Sequence, residues 1–410
     1  MSLKATEVFV PGSYPQHTYI NREAEGLEDT LRDSLSTPGQ VVSLSGPSKS
    51  GKTVLVEKVV GRDSLITISG AGLQSPEDVW ERVLDWMDVP NTISKARKLG
   101  GKFGASAVLA VEAGGEVQSE QSRERRGLLQ VVHEIANSDF VVLVDDFHYM
   151  HRSIQAEVAK TLKEAVRQGV KIATAAVSHR GDDVVRANPE LRGRVRAIDL
   201  RYWTLDELQQ IAAKGFSVLN GDVDPKVPKI FAKESAGSPQ LMQLLCLQAC
   251  FASGFREKPL LRRTVNINED TVPEILEQAS STSDFRSLVD VLDAGPRTRG
   301  TERKTYQFHD ESTGDVYRAV LKALAESPPQ LSFPYQQLLD RTVKICAGEA
   351  PVGSSVSGTC LHMSKLAQEK FPNERAIDWD EQKQVFDIPD PYLLFYLRWS
   401  GRLRESETTG

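Results

Sequence analysis

The chain has 410 residues, and its 56 acidic and 50 basic side chains give a formal net charge of −6 at pH 7. This length predicts two or three domains, and a hydrophobic fraction of 40% excludes a wholly disordered protein. The four cysteines are too few for a disulfide framework and lack the paired spacing of a zinc site. With neither a signal peptide nor a membrane span in the sequence, we expect a reduced, cytoplasmic protein without a membrane partner.

An amphipathic helix is predicted after an N-terminal arm of residues 1–18. Leu27, Leu31 and Leu35 recur at helical spacing, and Asn21 is expected to be the N-cap residue. This helix leads into the strongest motif of the chain.

Residues 41–53 read VVSLSGPSKSGKT. Within them, residues 46–53 match a phosphate-binding loop, or P-loop, which directly follows an apolar strand and precedes a predicted helix. Glycines let the backbone curl until successive N–H groups point at phosphate oxygens. Lys52 is expected to reach the β- and γ-phosphates of ATP, and the Thr53 hydroxyl to bind Mg²⁺. The predicted nucleotide contacts are the loop and the first helical turn: Gly46, Pro47, Ser48, Lys49, Ser50, Gly51, Lys52, Thr53 and Val54.

A strand over 64–68 and a helix from Pro76 continue the alternation of strands and helices. Residues 94–126 interrupt it. They begin with basic residues, and apolar and polar residues then alternate on both sides of Gly114 and Gly115. This pattern favours an inserted β-hairpin, which would contact a neighbouring subunit or line a pore. An exposed disordered loop is the alternative.

Residues 140–148 (FVVLVDDFH) match a Walker B strand, which is buried on both faces and ends in two carboxylates. Asp145 is expected to hold Mg²⁺, and Asp146 to polarise the water that attacks the γ-phosphate. A helix over 153–168 and strands over 170–178 and 197–203 complete the pattern. The predicted fold class is therefore α/β, with a parallel sheet covered by helices on both faces and the phosphate chemistry at the carboxyl ends of the strands.

The pattern becomes helical after Thr204 and predicts an α-helical lid. Two short basic stretches, 255–263 and 296–304, interrupt the acidic background. Three helices and a strand pair over 313–400 predict a winged-helix domain. The predicted limits are an arm (1–18), an ATPase core (19–204), a lid (205–282), a basic linker (283–310), a winged-helix domain (311–400) and a tail (401–410).

The chain resembles AAA+/STAND-type P-loop ATPases of the archaeal-type ATPase branch, and it is similar also to origin-recognition ATPases. Motifs in matching order carry the resemblance over roughly residues 19–400: NREAE (21–25), the P-loop (46–53), LVDDFH (143–148), ATAAVSHR (173–180), ELRGRV (190–195), GSP (237–239) and IPDPYLLFYLRW (388–399).

The resemblance implies further site residues. Ser178 would act as sensor 1 at the γ-phosphate, although a serine that caps the next turn is the alternative. Arg194 would be the arginine finger supplied to a neighbouring subunit. Arg192 and Arg196 compete for this role, and the alternative is that all three arginines are merely exposed on a strand edge.

In the lid, Pro239 would abut the adenine, unless Ser-Pro merely starts a helix. The chain departs from the family at Gln240, near which many members carry a sensor 2 arginine.

These features predict an Mg²⁺-dependent ATPase that drives or switches a homo-oligomer. The alternative is a slow STAND-like switch that binds a protein partner through its C-terminal domain. Origin-recognition and defence ATPases suggest DNA transactions or bacterial defence as the setting. Residues 311–399 carry 12 acidic and 9 basic side chains, so the charge of this domain does not favour DNA binding.

Overall fold

The computed structural model describes residues 2–22, 25–88, 127–177, 193–297, 303–372 and 376–404. The chain divides into two compact units. One comprises Asn21–Pro47 and Gly51–Arg201, and the other comprises Met1–Ile20, Ser48–Ser50 and Tyr202–Gly410. The hairpin predicted within 94–126 lies outside the described residues, and the predicted domain limits stay predictions. Within the described ranges, no helix is long and apolar enough to cross a membrane.

A parallel five-stranded sheet forms the centre of the first unit, with the strand order β2-β3-β4-β1-β5. Its strands are β1 (Val41–Ser45), β2 (Leu65–Ser69), β3 (Val141–Asp145), β4 (Lys171–Ala176) and β5 (Val195–Asp199). Strand β3 is buried except at its last residue, which explains why its sequence is apolar until Asp145. The predicted α/β class and parallel sheet are confirmed.

Helices cover both faces of this sheet. Alternate residues of β3 enter different cores: Val142 and Val144 pack with apolar residues of α4, α5 and α6, whereas Val141 and Leu143 pack with those of α2 and α3. These helices are α2 (Leu27–Ser36), α3 (Lys52–Val60), α4 (Glu77–Trp86), α5 (127–135) and α6 (Arg152–Arg167).

Helix α2 begins later than the sequence predicts. Its N-cap is Gly26, in the left-handed region with φ 59°, so the prediction of Asn21 as N-cap was wrong. Arg22 forms a tertiary contact instead: its guanidinium pairs with Glu25 at 2.7 Å and donates to the carbonyl of Arg201 at 3.4 Å. The contact with Arg201 joins residues that lie 179 positions apart in the sequence.

The second unit contains the predicted helical lid, which is confirmed. Thr204 starts its first helix with a capping box, because its hydroxyl accepts from the N–H of Glu207 while the Glu207 carboxylate accepts from the N–H of Thr204. A short N-terminal helix, α1 (Ala5–Val8), packs into the same core. Gly215 is required there, since a Cβ at this position would lie 2.2 Å from the ring of Phe9. The lid helices are α7 (Leu205–Val218), α8 (Lys226–Glu234), α9 (Pro239–Ala252) and α10 (Val272–Ser280).

The C-terminal part of this unit has the helix, strand, helix, helix, hairpin order of a winged helix. Its antiparallel sheet has the order β10-β12-β11. The strands are β10 (Ser332–Pro334), β11 (Asp378–Asp380) and β12 (Val385–Asp387), and the helices are α12 (Val316–Ala325), α13 (Tyr335–Ile345), α14 (Gly353–Lys370) and α15 (Pro391–Trp399). The helix α11 (Arg286–Ala294) and two short strand pairs, β6 (Gly221–Asp222) with β7 (Arg263–Thr264) and β8 (Tyr306–Gln307) with β9 (Thr313–Gly314), complete the unit.

A buried ion pair ties the last helix to the lid. Arg398 at the end of α15 donates two hydrogen bonds to the Glu234 carboxylate, at 2.8 and 2.9 Å, and the indole of Trp399 donates a third at 2.8 Å. Both charged side chains are less than a tenth exposed. Because a buried charge is costly without full hydrogen bonding, this pairing fixes α15 against α8.

The four cysteine thiols generate a test of the packing. All four are free and buried. Burial raises the pKa of Cys250 and of Cys360 to about 12, and it also raises the pKa of Cys246 and of Cys346. Since the thiolate is the reactive form, we expect a thiol reagent at pH 8 to leave the folded protein almost unmodified and to modify all four thiols after unfolding in denaturant. Rapid modification of one thiol in the folded state would contradict the packing.

Candidate functional site

The P-loop connects the carboxyl end of β1, at Ser45, to the first residue of α3, Lys52. Gly51 caps this helix with φ 92°, a conformation that glycine adopts easily. A Cβ on Gly51 would meet no atom within 4 Å, so the backbone angle rather than space favours glycine here. Lys49 is also left-handed, with φ 61°. The loop therefore curls at two positions, as the sequence predicts for a phosphate cradle.

The ammonium of Lys52 lies over this curl. Its Nζ donates to the carbonyl of Gly46 at 3.0 Å and to the carbonyl of Pro47 at 2.8 Å. These contacts bring the positive charge to the inner side of the loop, beside the N-terminus of α3. Phosphate oxygens are stronger acceptors for an ammonium than neutral carbonyls are, so a bound phosphate group would compete for these donors.

The two residues predicted to bind a metal meet each other. The Thr53 hydroxyl, in the first turn of α3, donates to Oδ2 of Asp145, at the end of β3, at 2.5 Å. No group of three or more His, Cys, Asp or Glu side chains that could hold a metal occurs in the described part of the chain. A cation at this point would have few protein ligands and would keep water and phosphate oxygens, as Mg²⁺ commonly does.

Asp146 follows β3 in a tight turn, with φ 55°. Its N–H donates to Oδ1 of Asp145 at 2.9 Å, so the Asp145 carboxylate is held against the backbone of this turn. This turn needs a residue that the sequence analysis missed. The N–H of Gly70 donates to the Asp145 carbonyl at 2.7 Å, and a Cβ on Gly70 would lie 2.7 Å from the carbonyl oxygen of Asp146. The only sequence signal for this role is a glycine directly after strand β2.

Ser50 provides a test of whether the loop fits a nucleotide. This side chain is only 2% exposed, and its hydroxyl has no hydrogen-bond partner among the described residues. A buried donor without an acceptor is costly, and a phosphate oxygen would supply the acceptor. Of the other predicted loop contacts, Ser48 is partly buried and Val54 lies in the first turn of α3. The residues present therefore fit a bound nucleotide phosphate together with Mg²⁺.

Arg194 lies far from the P-loop of its own chain. Its carbonyl accepts from the N–H of Val41, and its side chain is exposed at the amino end of β5. The P-loop follows β1 at the opposite, carboxyl end of the sheet, because Val41 pairs with Val195 and the strands are parallel. Five residues of strand separate the two ends by roughly 15 Å. Arg196 is exposed on β5 itself, while Arg192 and Ser178 lie outside the described residues.

The segment Ser48–Ser50 contacts residues of the lid. Pro239 is the first residue of α9 and Ser238 caps this helix, which is the alternative of a Ser-Pro helix start, and a contact of Pro239 with adenine stays a prediction. The sequence analysis missed Trp203, whose indole N–H donates to the carbonyl of Ser50 at 2.9 Å. No local pattern could have identified Trp203, because its partner lies 153 positions earlier in the chain.

Asp390, the N-cap of α15, also acts on this segment. Burial raises the pKa of the Asp390 carboxyl above its ordinary value, while the Tyr392 N–H and the charge of Lys49 oppose the shift. The charge of Lys49 in the P-loop therefore lies close enough to influence this carboxyl.

Solved structures share this architecture over nearly the whole chain. The Walker-type ATPase PABY2304 of Pyrococcus abyssi superposes with a TM-score of 0.50 at 18% identity, covering 92% of this chain and 97% of that chain. The ORC2 protein of Aeropyrum pernix, solved in ADPNP–ADP complexes, superposes with a TM-score of 0.50 at 15% identity, covering 97% of this chain and 98% of that chain. The protein has an AAA+ ATPase fold. No protein-family model and no curated protein matches the sequence.

The AAA+ fold gives the site its framework, while the roles of the individual residues stay predictions. The structure brings together Lys52, Thr53, Asp145 and Asp146 within one unit. Arg194 lies at the other end of the same sheet.

Removing the Lys52 ammonium tests the phosphate site. We expect Lys52→Ala to bind ATP roughly 10- to 100-fold more weakly, because hydrogen bonds to charged groups are lost, while the melting temperature stays near that of the wild type. The measurements are titration with ATP and thermal unfolding. Lys58→Ala on the exposed side of the same helix is the matched control and should bind normally. Equal ATP affinity in the Lys52→Ala variant and the wild type would refute the P-loop assignment.

Proposed function

We propose that this protein is an Mg²⁺-dependent ATPase that hydrolyses ATP to ADP and phosphate and uses this cycle to drive or switch an oligomeric assembly. The observation that carries the proposal is the contact between the Thr53 hydroxyl and the Asp145 carboxylate at 2.5 Å, beside a P-loop that holds Lys52. Two hard oxygen ligands next to a phosphate cradle suit Mg²⁺-ATP. The buried hydroxyl of Ser50, which lacks an acceptor among the described residues, supports the same conclusion.

The residues divide the chemistry between them. The P-loop backbone and Lys52 would bind the phosphates, and Thr53 and Asp145 would hold the metal, which when bound supplies positive charge to the phosphate oxygens. Asp146 would accept a hydrogen bond from the attacking water and orient it. Its place directly after Asp145 at the carboxyl end of β3, where its N–H donates to Oδ1 of Asp145 at 2.9 Å, supports this division of roles.

Replacing Asp146 tests the hydrolytic step. We expect Asp146→Asn to retain Mg²⁺-ATP binding while its turnover falls by about 10²- to 10⁴-fold, because the amide cannot accept the proton of the attacking water. The measurements are nucleotide affinity and phosphate release. Asp145→Asn is the matched variant: it should weaken the dependence on Mg²⁺ as well as the rate. Normal turnover by Asp146→Asn would place the general base elsewhere.

The position of Arg194 supports a shared site. An arginine at the amino end of the sheet cannot reach the phosphates of its own P-loop across roughly 15 Å, and its exposed side chain would be accessible to another subunit. We therefore propose a homo-oligomer in which one subunit supplies its arginine to the nucleotide of the next subunit.

Mixing of variants tests this arrangement. Arg194→Ala should lose hydrolysis but keep ATP binding, and its mixture with Asp146→Asn should regain part of the activity, since some interfaces then combine an intact Asp146 with an intact arginine. An arginine finger contributes about 10³- to 10⁵-fold in rate, so a small fraction of such interfaces is measurable. Arg192→Ala and Arg196→Ala identify the finger if Arg194 is not it. A normal rate in all three variants, independent of protein concentration, would exclude the shared site.

A slow nucleotide switch is the second candidate function. One observation favours it: Gln240 follows Pro239 near the position where many AAA+ ATPases carry a sensing arginine. In such a switch the bound nucleotide controls the binding of a protein partner, and hydrolysis resets the state. Purified protein that retains one ADP per chain and hydrolyses ATP only once over many minutes would favour the switch over continuous turnover.

A further inference from the structure

Trp203 connects the start of the lid to the P-loop. Its indole N–H donates to the Ser50 carbonyl at 2.9 Å, and its backbone N–H donates to the carbonyl of Gly237 at 3.3 Å. Tyr202 packs directly against this glycine, since a Cβ on Gly237 would lie 2.9 Å from the tyrosine ring. The indole is thereby held between the turn before α9 and the last residues of the P-loop.

Ser238 reaches the neighbouring carbonyl of the same loop. Its hydroxyl donates to the carbonyl oxygen of Lys49 at 3.5 Å. The same hydroxyl caps α9 by accepting from the N–H of Leu241 at 3.2 Å. Two consecutive P-loop carbonyls therefore each have a hydrogen-bond donor: Ser238 of the lid for Lys49, and Trp203, just before the lid, for Ser50. The 2.9 Å contact of Trp203 is the stronger of the two.

The planar peptide bond converts these contacts into a constraint on phosphate binding. In a trans peptide the C=O of one residue and the N–H of the next point in opposite directions. A donor that holds the Ser50 carbonyl therefore fixes the direction of the Gly51 N–H, and a donor that holds the Lys49 carbonyl fixes that of the Ser50 N–H. Lys49 has a left-handed backbone, which is costly for a residue with a Cβ, so the loop depends on such outside support.

We propose that Trp203, assisted by Ser238, is a positioning residue that turns the N–H groups of Ser50 and Gly51 toward the phosphates of the bound nucleotide. The proposal rests on the proposed function of the P-loop and names how the lid contributes to it. No lid side chain has to touch the phosphates, because the lid acts through the loop's own backbone. This gives the lid a role in phosphate binding in a chain that has Gln240 after Pro239.

A pair of tryptophan variants tests the proposal. Trp203→Phe keeps an aromatic ring but removes the indole donor, and Trp399→Phe removes an equivalent donor whose acceptor is Glu234 rather than the P-loop. We expect Trp203→Phe to bind ATP, ADP and inorganic tripolyphosphate about 3- to 10-fold more weakly, the range for one lost hydrogen bond. Trp399→Phe should lower the melting temperature and leave all three affinities unchanged.

The tripolyphosphate measurement separates positioning from contact with the base. If Trp203 acted by touching the adenine, the variant would lose affinity for ATP and not for tripolyphosphate, and the proposal would be overturned. Wild-type affinities for all three ligands in a folded Trp203→Phe protein would overturn it as well, while leaving the ATPase function intact. Failure of the wild type to bind any of the three would instead refute the proposed function.

Ser238 provides the second set of variants, which decides the matter if Trp203→Phe does not fold. Ser238→Thr keeps a hydroxyl at the cap of α9 and should bind tripolyphosphate as the wild type does. Ser238→Ala loses the donor to Lys49 and should bind it about 2- to 5-fold more weakly. Equal affinity in these two variants, both compared at temperatures well below their melting points, would contradict the role of the lid donors.

Discussion

The hydrogen bond between Thr53 and Asp145 is the contact on which the rest of the site depends. It joins the first turn of α3 to the end of β3, although β4 lies between β1 and β3 in the sheet. The contact requires the parallel strands to end at one edge, in the observed register. It also requires a buried, apolar β3 that stops at its first carboxylate. A shift of β3 by one residue would turn Asp145 to the other face of the sheet, because side chains alternate along a strand.

This constraint explains the glycines and tight turns around the site. Gly70 must lack a side chain because the Walker B turn passes 2.7 Å from the place of its Cβ, and Gly51 has a backbone angle that most residues avoid. Asp146 and Lys49 are left-handed although they are not glycines. Such conformations persist only where surrounding contacts over-determine them, and they concentrate at functional sites. Here the hydrogen bonds to Asp145 and to the P-loop carbonyls are those contacts.

The lid and the C-terminal domain are held together, and held to the segment Ser48–Ser50, by contacts between residues that are distant in sequence. Glu234, Arg398 and Trp399 lock α15 to α8, so the C-terminal helix and the lid are joined by fully hydrogen-bonded, buried charges. The same helix begins at Asp390, whose carboxyl pKa is influenced by the charge of Lys49, while Ser238 and Trp203 supply donors to the carbonyls of Lys49 and Ser50.

The sequence by itself determined the features that depend on local spacing. Periodicity, glycine positions and apolar runs are patterns that act over a few residues. They predict the P-loop, the Walker B carboxylates, the alternation of strands and helices, the helical lid and the winged-helix order. Only the tertiary structure decided which distant groups meet. It showed that α2 begins after Gly26, that Arg22 donates to the carbonyl of Arg201, that Gly70 must fit beneath Asp146, and that Arg194 lies at the far end of the sheet from Lys52. It also brought Trp203 to Ser50 across 153 positions. These contacts depend on strand order and register, and a single sequence carries no local signal for either.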